Sequence, residues 1–271
     1  MGGMDPAIFP HIRLDRDSRN TPQALDRSTL LVGLAHPDDE VAAAGTILAQ
    51  RARGDRVVIV WLTKGERTEA FGPLPTQEVA RRREAQGHAA GELLGAETIF
   101  YDLPDTGLRH DRETVLRIAR LFCELRPDGL ITWGDAWVRG MRHPDHQVCG
   151  QLFRDAILLA RIAKVVAPLE PHRAPMPVFT LRDVHSILPA VGVDVSPYRE
   201  HLDRLANHYH QGIGFGDPAW LDARLRAAGE RWGFRYAEEF DAWESPSGAV
   251  TSLLPAAPLP GVPHPERSSS P

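Results

Sequence analysis

TLLVGLAHPDDE, residues 29–40, sets a continuous apolar run directly against a histidine, a proline and three acids. The run TLLVGLA (29–35) has strand length and no polar alternation, the pattern of a strand buried on both faces. The next stretch, DEVAAAGTILAQRARG, has helical spacing. The same handover recurs downstream. RVVIVWLT (56–63) precedes QEVARRREAQGHAAGELLG, ETIFYDL (97–103) precedes RETVLRIARLFCELR, and GLITWG (129–134) precedes a helix from about 145 to 164. Strand, helix, strand at this spacing predicts an α/β fold, a Rossmann-like open and mainly parallel sheet flanked by helices and joined by right-handed crossovers. After PVFTLRDV (177–184) the pattern changes. VGVDVS, PYREHLDRLANHYHQ, DPAWLDARLRAAGERWG and FRYAEEF predict a smaller C-terminal α+β portion that completes or covers one end of the sheet.

The 271 residues, 42% hydrophobic and 25% charged, can bury one sizeable core. A single domain over 29–244 is expected, because no Gly/Ser-rich or charged linker divides the middle. Residues 1–28 are polar and proline-dotted, and 245–271 are rich in Pro and Ser, so both ends are expected to be extended or disordered. A net charge of −5 argues against nucleic acid or an anionic membrane as the main partner. Arginine outnumbers lysine 29 to 2, yet the arginines are scattered and only Arg81-Arg82-Arg83 cluster. Cys123 and Cys149 form no CxxC pair and read as buried free thiols. No stretch resembles a signal peptide or a membrane span, so a cytoplasmic enzyme is expected, with a homo-oligomer left open.

In an open α/β sheet, ligands bind outside the carboxyl ends of the strands. The first strand runs not into a Gly-x-Gly-x-x-Gly turn but into His36-Pro37-Asp38-Asp39-Glu40. Pro37 reads as the opening residue of a helix, from whose first turn His36 and Asp39 can converge on one point. The fourth strand leads to His143-Pro144-Asp145-His146, again two histidines three apart at a helix start. Either cluster alone reads as a helix cap. Two of them at one sheet edge can face each other across an ion, and His36, Asp39 and His146 would make a His₂-carboxylate set with an open position, the arrangement of catalytic zinc. Ferrous iron suits the same donors.

Here a resemblance becomes specific. His36-Pro37-Asp38-Asp39-Glu40 resembles the H-P-D-D-E signature of the LmbE-like or PIG-L N-acetylglucosaminyl deacetylases, and His143-Pro144-Asp145-His146 resembles their second metal motif. Thr63-Lys64-Gly65-Glu66, Arg83 with Leu94-Gly95, Asp105-Thr106-Gly107-Leu108, His208-Tyr209-His210-Gln211 and Tyr236-Ala237-Glu238-Glu239-Phe240 are similar to weaker motifs in the family's order. Gln86 stands where the family usually has Glu, and His210 where it has Ser or Thr. The resemblance implies zinc-dependent removal of acetyl from an N-acetylated sugar. It implies His36, Asp39 and His146 as metal ligands, Asp38 as general base, and His143 as oxyanion partner and general acid oriented by Asp145. Arg83 and Asp105 would hold sugar hydroxyls, and His208 would close the acyl end.

Gly212-Ile213-Gly214-Phe215-Gly216 looks like a phosphate loop but comes after a helix instead of a strand, and reads as a rim loop. Two other functions compete: an amidase acting on a thiol-sugar conjugate, which would share the metal and acid/base set, and a non-catalytic sugar- or nucleotide-binding module. Retention of Asp38 and His143, which binding alone does not need, speaks against the module.

Overall fold

The computed structural model describes residues 27–255. Its sheet has eight strands in the order β3-β2-β1-β4-β5-β7-β6-β8. The first five are β1 (Thr29–Leu34), β2 (Arg56–Trp61), β3 (Glu97–Phe100), β4 (Gly129–Trp133) and β5 (Val178–Leu181), all mutually parallel. This is the Rossmann-like half that the apolar runs predict. β6 (Ala190–Asp194) and β7 (Ala237–Glu244) extend it antiparallel, and β8 (Gly248–Val250) closes the edge parallel to β6. The central strands are buried on both faces because helices cover both. These are α1 (Ala44–Ala52), α2 (Thr76–Leu94), α3 (Arg112–Leu125), α4 (Pro144–Ala160) and α5 (Ala163–Val166), with α6 (Arg199–Ile213) packed on α1 and α2 and α7 (Pro218–Trp232) covering β6 and β7.

The topology selects the site. From β1 the chain moves outward to β2 and β3, then returns to β4 on the other side of β1. The loops leaving β1 and β4 therefore diverge around a crevice at the carboxyl edge, the switch point where ligands bind in such sheets. These loops carry His36–Glu40 and His143–His146.

Several boundaries differ from the sequence reading, each for a local reason. No helix opens at Pro37: Asp38 is left-handed (φ 107°), Asp39–Ala42 forms a 3₁₀ turn, and α1 starts only at Ala44. The cap for α1 comes from far along the chain. Glu238 on β7 accepts from the backbone N–H of Gly45 (2.8 Å) and Thr46 (2.8 Å) and from the Thr46 hydroxyl (2.7 Å). β5 stops at Leu181, freeing Arg182 and Asp183 for the site wall. The segment expected as a tail from 245 is partly built into the fold. β8 lies within it, and Leu253 and Leu254 are buried, their backbone N–H groups bonded to Gln50 Oε1 (3.2 Å each). The rest of that segment, 256–271, and residues 1–26 of the expected N-terminal extension lie outside the described residues. Both cysteines are free and buried, as read from the sequence.

Burial pushes the Glu238 carboxyl up to about 7, outweighing its three hydrogen bonds. Its folded pKa thus lies above the ordinary 4.5, so the folded chain holds the proton more tightly than the unfolded one. This contribution to stability is full below pH 4.5 and is lost as pH rises through 7. Glu238→Gln should therefore flatten the fall in unfolding free energy across that window, measured by chemical denaturation at a series of pH values.

Candidate metal and active site

Asp39 anchors the first loop. Its Oδ2 accepts from the backbone N–H of Ala35 (3.0 Å) and His36 (2.9 Å), closing the turn, while Oδ1 faces His146 Nε2 at 3.1 Å. His36 presents Nδ1 to Asp39 (3.8 Å) and Nε2 to Asp105 Oδ1 (3.2 Å) and Asp145 Oδ2 (3.3 Å). His146 lies flat on Trp133 at the end of β4, ring centroids 3.8 Å apart and planes within 7°. That contact needs α4 against β4, and Gly150, one turn further on, permits it: a Cβ there would strike the Trp133 carbonyl.

Asp38 is held from both sides. Its N–H donates to Glu40 Oε2 (3.0 Å), which fixes the left-handed backbone, a conformation costing about 1–3 kcal/mol for a residue with a side chain. Its carboxylate meets Arg83 Nη2 at 2.6 Å, and the same nitrogen donates to the Pro37 carbonyl. Glu40 is buried and further bonded by Trp61 Nε1 (3.2 Å) and Tyr209 OH (2.6 Å). Burial pushes Asp38 up to about 6 although Arg83 pulls the other way, and pushes Glu40 up to about 7. Asp39 is the contrast, since His146 and His36 overcome burial and hold it down at about 2.

Several of the sequence-derived assignments change. Arg83 lines the cavity, but its side chain is only 2% exposed and its guanidinium is turned to Asp38, so it meets the carboxylate instead of projecting toward a sugar. His208 is not brought into the cavity: Nε2 lies 3.1 Å from the Gln86 carbonyl and ties α6 to α2. Asp105 lines the cavity, with Oδ2 accepting from the Arg67 N–H (2.8 Å) and Oδ1 facing His36. Asp145 and His143 are joined through the backbone, where the Asp145 N–H donates to His143 Nδ1 (3.2 Å). The Asp145 carboxylate instead accepts from the N–H of Thr106 (2.7 Å) and Leu108 (3.2 Å) and faces His36. Burial and the His36 and His146 charges lower the His143 pKa against the pull of Asp145 and Asp105. The sequence reading gave no role to Trp133, Glu40 or Tyr209; Glu40 was visible within the motif, but its partners are 21 and 169 residues away.

The donor atoms of His36, Asp39 and His146 lie within 4.8 Å of one another, as do those of His36, Asp105, His143 and Asp145. A divalent cation fits the first set. Ligand bonds of about 2.0–2.2 Å in a tetrahedron require donors roughly 3.5 Å apart. The electrostatics point the same way: burial disfavours a charged His36, yet the surrounding carboxylates overrule it and lift its pKa to about 10. With Nδ1 on Asp39's side, Nε2–H is left to donate to Asp105 and Asp145, the outer-sphere arrangement that orients metal-bound histidines.

An open α/β sheet with this two-loop carboxylate and histidine centre has known counterparts. The chain matches the PIG-L family, described as GlcNAc-PI de-N-acetylase, over residues 31–157. It is 30% identical over 217 residues to the diacetylchitobiose deacetylase of Thermococcus kodakarensis, covering 75% of this chain and 78% of that protein. The chain belongs to the PIG-L family. It is also 30% identical over 164 residues to a 4-oxalmesaconate hydratase of Pseudomonas putida, spanning 58% of this chain and 60% of the hydratase's length. Among solved structures, the inhibitor-bound N,N'-diacetylchitobiose deacetylase of Pyrococcus horikoshii superposes with a TM-score of 0.71 at 25% identity, over 79% of this chain and 83% of that one.

Purified protein should carry close to one divalent ion per chain by elemental analysis, and His146→Ala should lose it. Chelation should lower the melting temperature, because an ion at 100 times its Kd stabilises the folded state by about 2.7 kcal/mol.

Proposed function

We propose that the chain is a metal-dependent hydrolase that removes acetyl from an N-acetylated sugar, with zinc or ferrous iron held by His36, Asp39 and His146. The observation that carries this reading is Asp38, a carboxylate beside the ligand set but outside it, braced by Arg83 and lifted toward neutral pH by burial. A general base works best with a pKa near the working pH. The cation, when bound, would supply Lewis acidity for the acetamide carbonyl and the attacking water.

The residues then divide the work. Asp38 takes the proton of the water as its oxygen attacks the acetyl carbon. His143 stands beside the ligand set, its ring centroid 4.5 Å from that of His36, and in protonated form can hydrogen-bond the developing oxyanion and give its proton to the departing amine nitrogen. The C–N bond breaks, leaving acetate and a free amino sugar. Asp105 and Asp145 orient His36, and Arg83 is a positioning residue for Asp38. The deacetylase relatives support acetamide hydrolysis. The match to the Pseudomonas putida hydratase favours a second reading, hydration, on the same floor.

The experiment offers N-acetylglucosamine glycosides and unsaturated carboxylic acids to the metal-loaded protein and measures released acetate against water addition. Acetate release is expected; hydration without it would replace the first reading by the second. Asp38→Asn should retain the metal while turnover falls on the order of 10²–10⁴-fold, the usual scale of a general base. Arg83→Gln should also keep the metal and lower kcat, by up to about 10²-fold, the scale of a misplaced catalytic group. Metal analysis with steady-state kinetics on both variants checks this, and an unchanged kcat in Arg83→Gln would remove the positioning role.

A further inference from the structure

The cavity above the metal-ligand set measures about 1080 Å³, far more than an acetamide fills, and α7 supplies part of its wall. The cavity is rich in arginine, and most of these arginines are already paired. Arg83 is bonded to Asp38 (2.6 Å), Arg142 to Asp183 (2.7 Å), Arg182 to Asp241 and Arg231 to Glu239. Among the described residues two of the lining arginines have no carboxylate partner: Arg67, which is exposed, and Arg224. Arg224 is half-buried on the cavity wall, and among the described residues no carboxylate bonds its guanidinium, which lies over the Trp220 ring, 5.7 Å from its centroid.

The two nearest acids act on it only at a distance, because their oxygens are engaged elsewhere: Glu238 with Gly45 and Thr46, and Glu239 with Arg231 and Trp232 Nε1 (2.9 Å). Burial presses the Arg224 pKa below its usual value, the mark of a cation short of compensation. Guanidinium is a planar donor suited to carboxylate and phosphate oxygens. Trp220, under that guanidinium, and Phe215 also line the cavity and are exposed, 51% and 42%, offering apolar faces to a ring. A neutral sugar would leave that arginine half-buried and unpaired.

We propose that Arg224, with Trp220 and Phe215, forms a subsite for an anionic oxygen group, a carboxylate or a phosphate, carried by the substrate away from the acetamide. The enzyme would then select anionic conjugates of the N-acetylated sugar over neutral oligosaccharides. The inference rests on the deacetylase reading only for the chemistry at the acetamide end.

The test uses the metal-loaded full chain and three matched ligands. These are the methyl glycoside of N-acetylglucosamine, N-acetylglucosamine 1-phosphate, and an N-acetylglucosamine glycoside of a 2-hydroxy acid, each also as its free-amine product. Affinity of the free amines is read by calorimetry, and KM by acetate release. Wild type should favour at least one anionic ligand on the order of 10–100-fold over the neutral one, the scale of a charge-assisted contact, and the better of the two names the group. Arg224→Ala should bring that ratio close to one, and Arg224→Lys should keep part of it. Equal affinity of wild type for neutral and anionic ligands would overturn the proposal, as would a preference that persists in Arg224→Ala. Should Arg224→Ala not fold, the wild-type ratio and the lysine variant decide. Absence of acetate release together with an Arg224-dependent anion preference would sink the deacetylase reading and leave the subsite standing.

Discussion

Four carboxylates, those of Asp38, Asp39, Asp105 and Asp145, crowd around His36 at the base of one cavity, three of them buried and Asp38 partly so. Buried charge without a partner is costly, so such a floor persists only if every neighbour helps to neutralise it. The response is visible residue by residue. Backbone N–H groups of residues 35, 36, 67, 106 and 108 point at carboxylate oxygens, Arg83 closes on Asp38, and the rings of His36 and His146 fill the gaps between acids. What remains uncompensated is a place for a cation.

The same constraint explains the local backbone. Among the described residues three other than glycine have positive φ, Asp38, Thr106 and Arg126, and two of them sit at this floor. The left-handed turn at Asp38 separates it from Asp39, so that adjacent acids with identical side chains face different partners. Asp39 is held down at about 2 and Asp38 is raised to about 6. Neighbouring environments that drive two carboxyls apart in pKa are how one site supplies both an ion-holding group and a proton acceptor.

Beyond the floor, the family's division of labour becomes visible. The half of the chain carrying β1–β4 brings His36, Asp38, Asp39, His143 and His146 together, and it is this half that the family match covers. The C-terminal portion supplies much of the wall, with Arg182 and Asp183 after β5, Trp220 and Arg224 on α7, and Glu238 on β7. Relatives of the chain include deacetylases and a hydratase. A common scaffold can carry different chemistry through the residues placed on it.

The sequence by itself determined the alternation of strand and helix, the parallel half of the sheet and the clustering of His36, Asp39, Asp38, His143 and His146. Burial on both faces imposes unbroken apolar runs, and short loop motifs keep their ligands close along the chain. Only tertiary structure decided the rest. That α1 is capped by Glu238, 193 residues from Gly45, that Arg83 pairs with Asp38 and that His208 turns to the Gln86 carbonyl all depend on contacts between distant segments, for which local periodicity carries no signal. Nor does the spacing of arginines along a chain tell which of them will find a carboxylate. Whether a charge is paired depends on where the fold lays its neighbours, and for Arg224 no carboxylate among the described residues is bonded to the guanidinium.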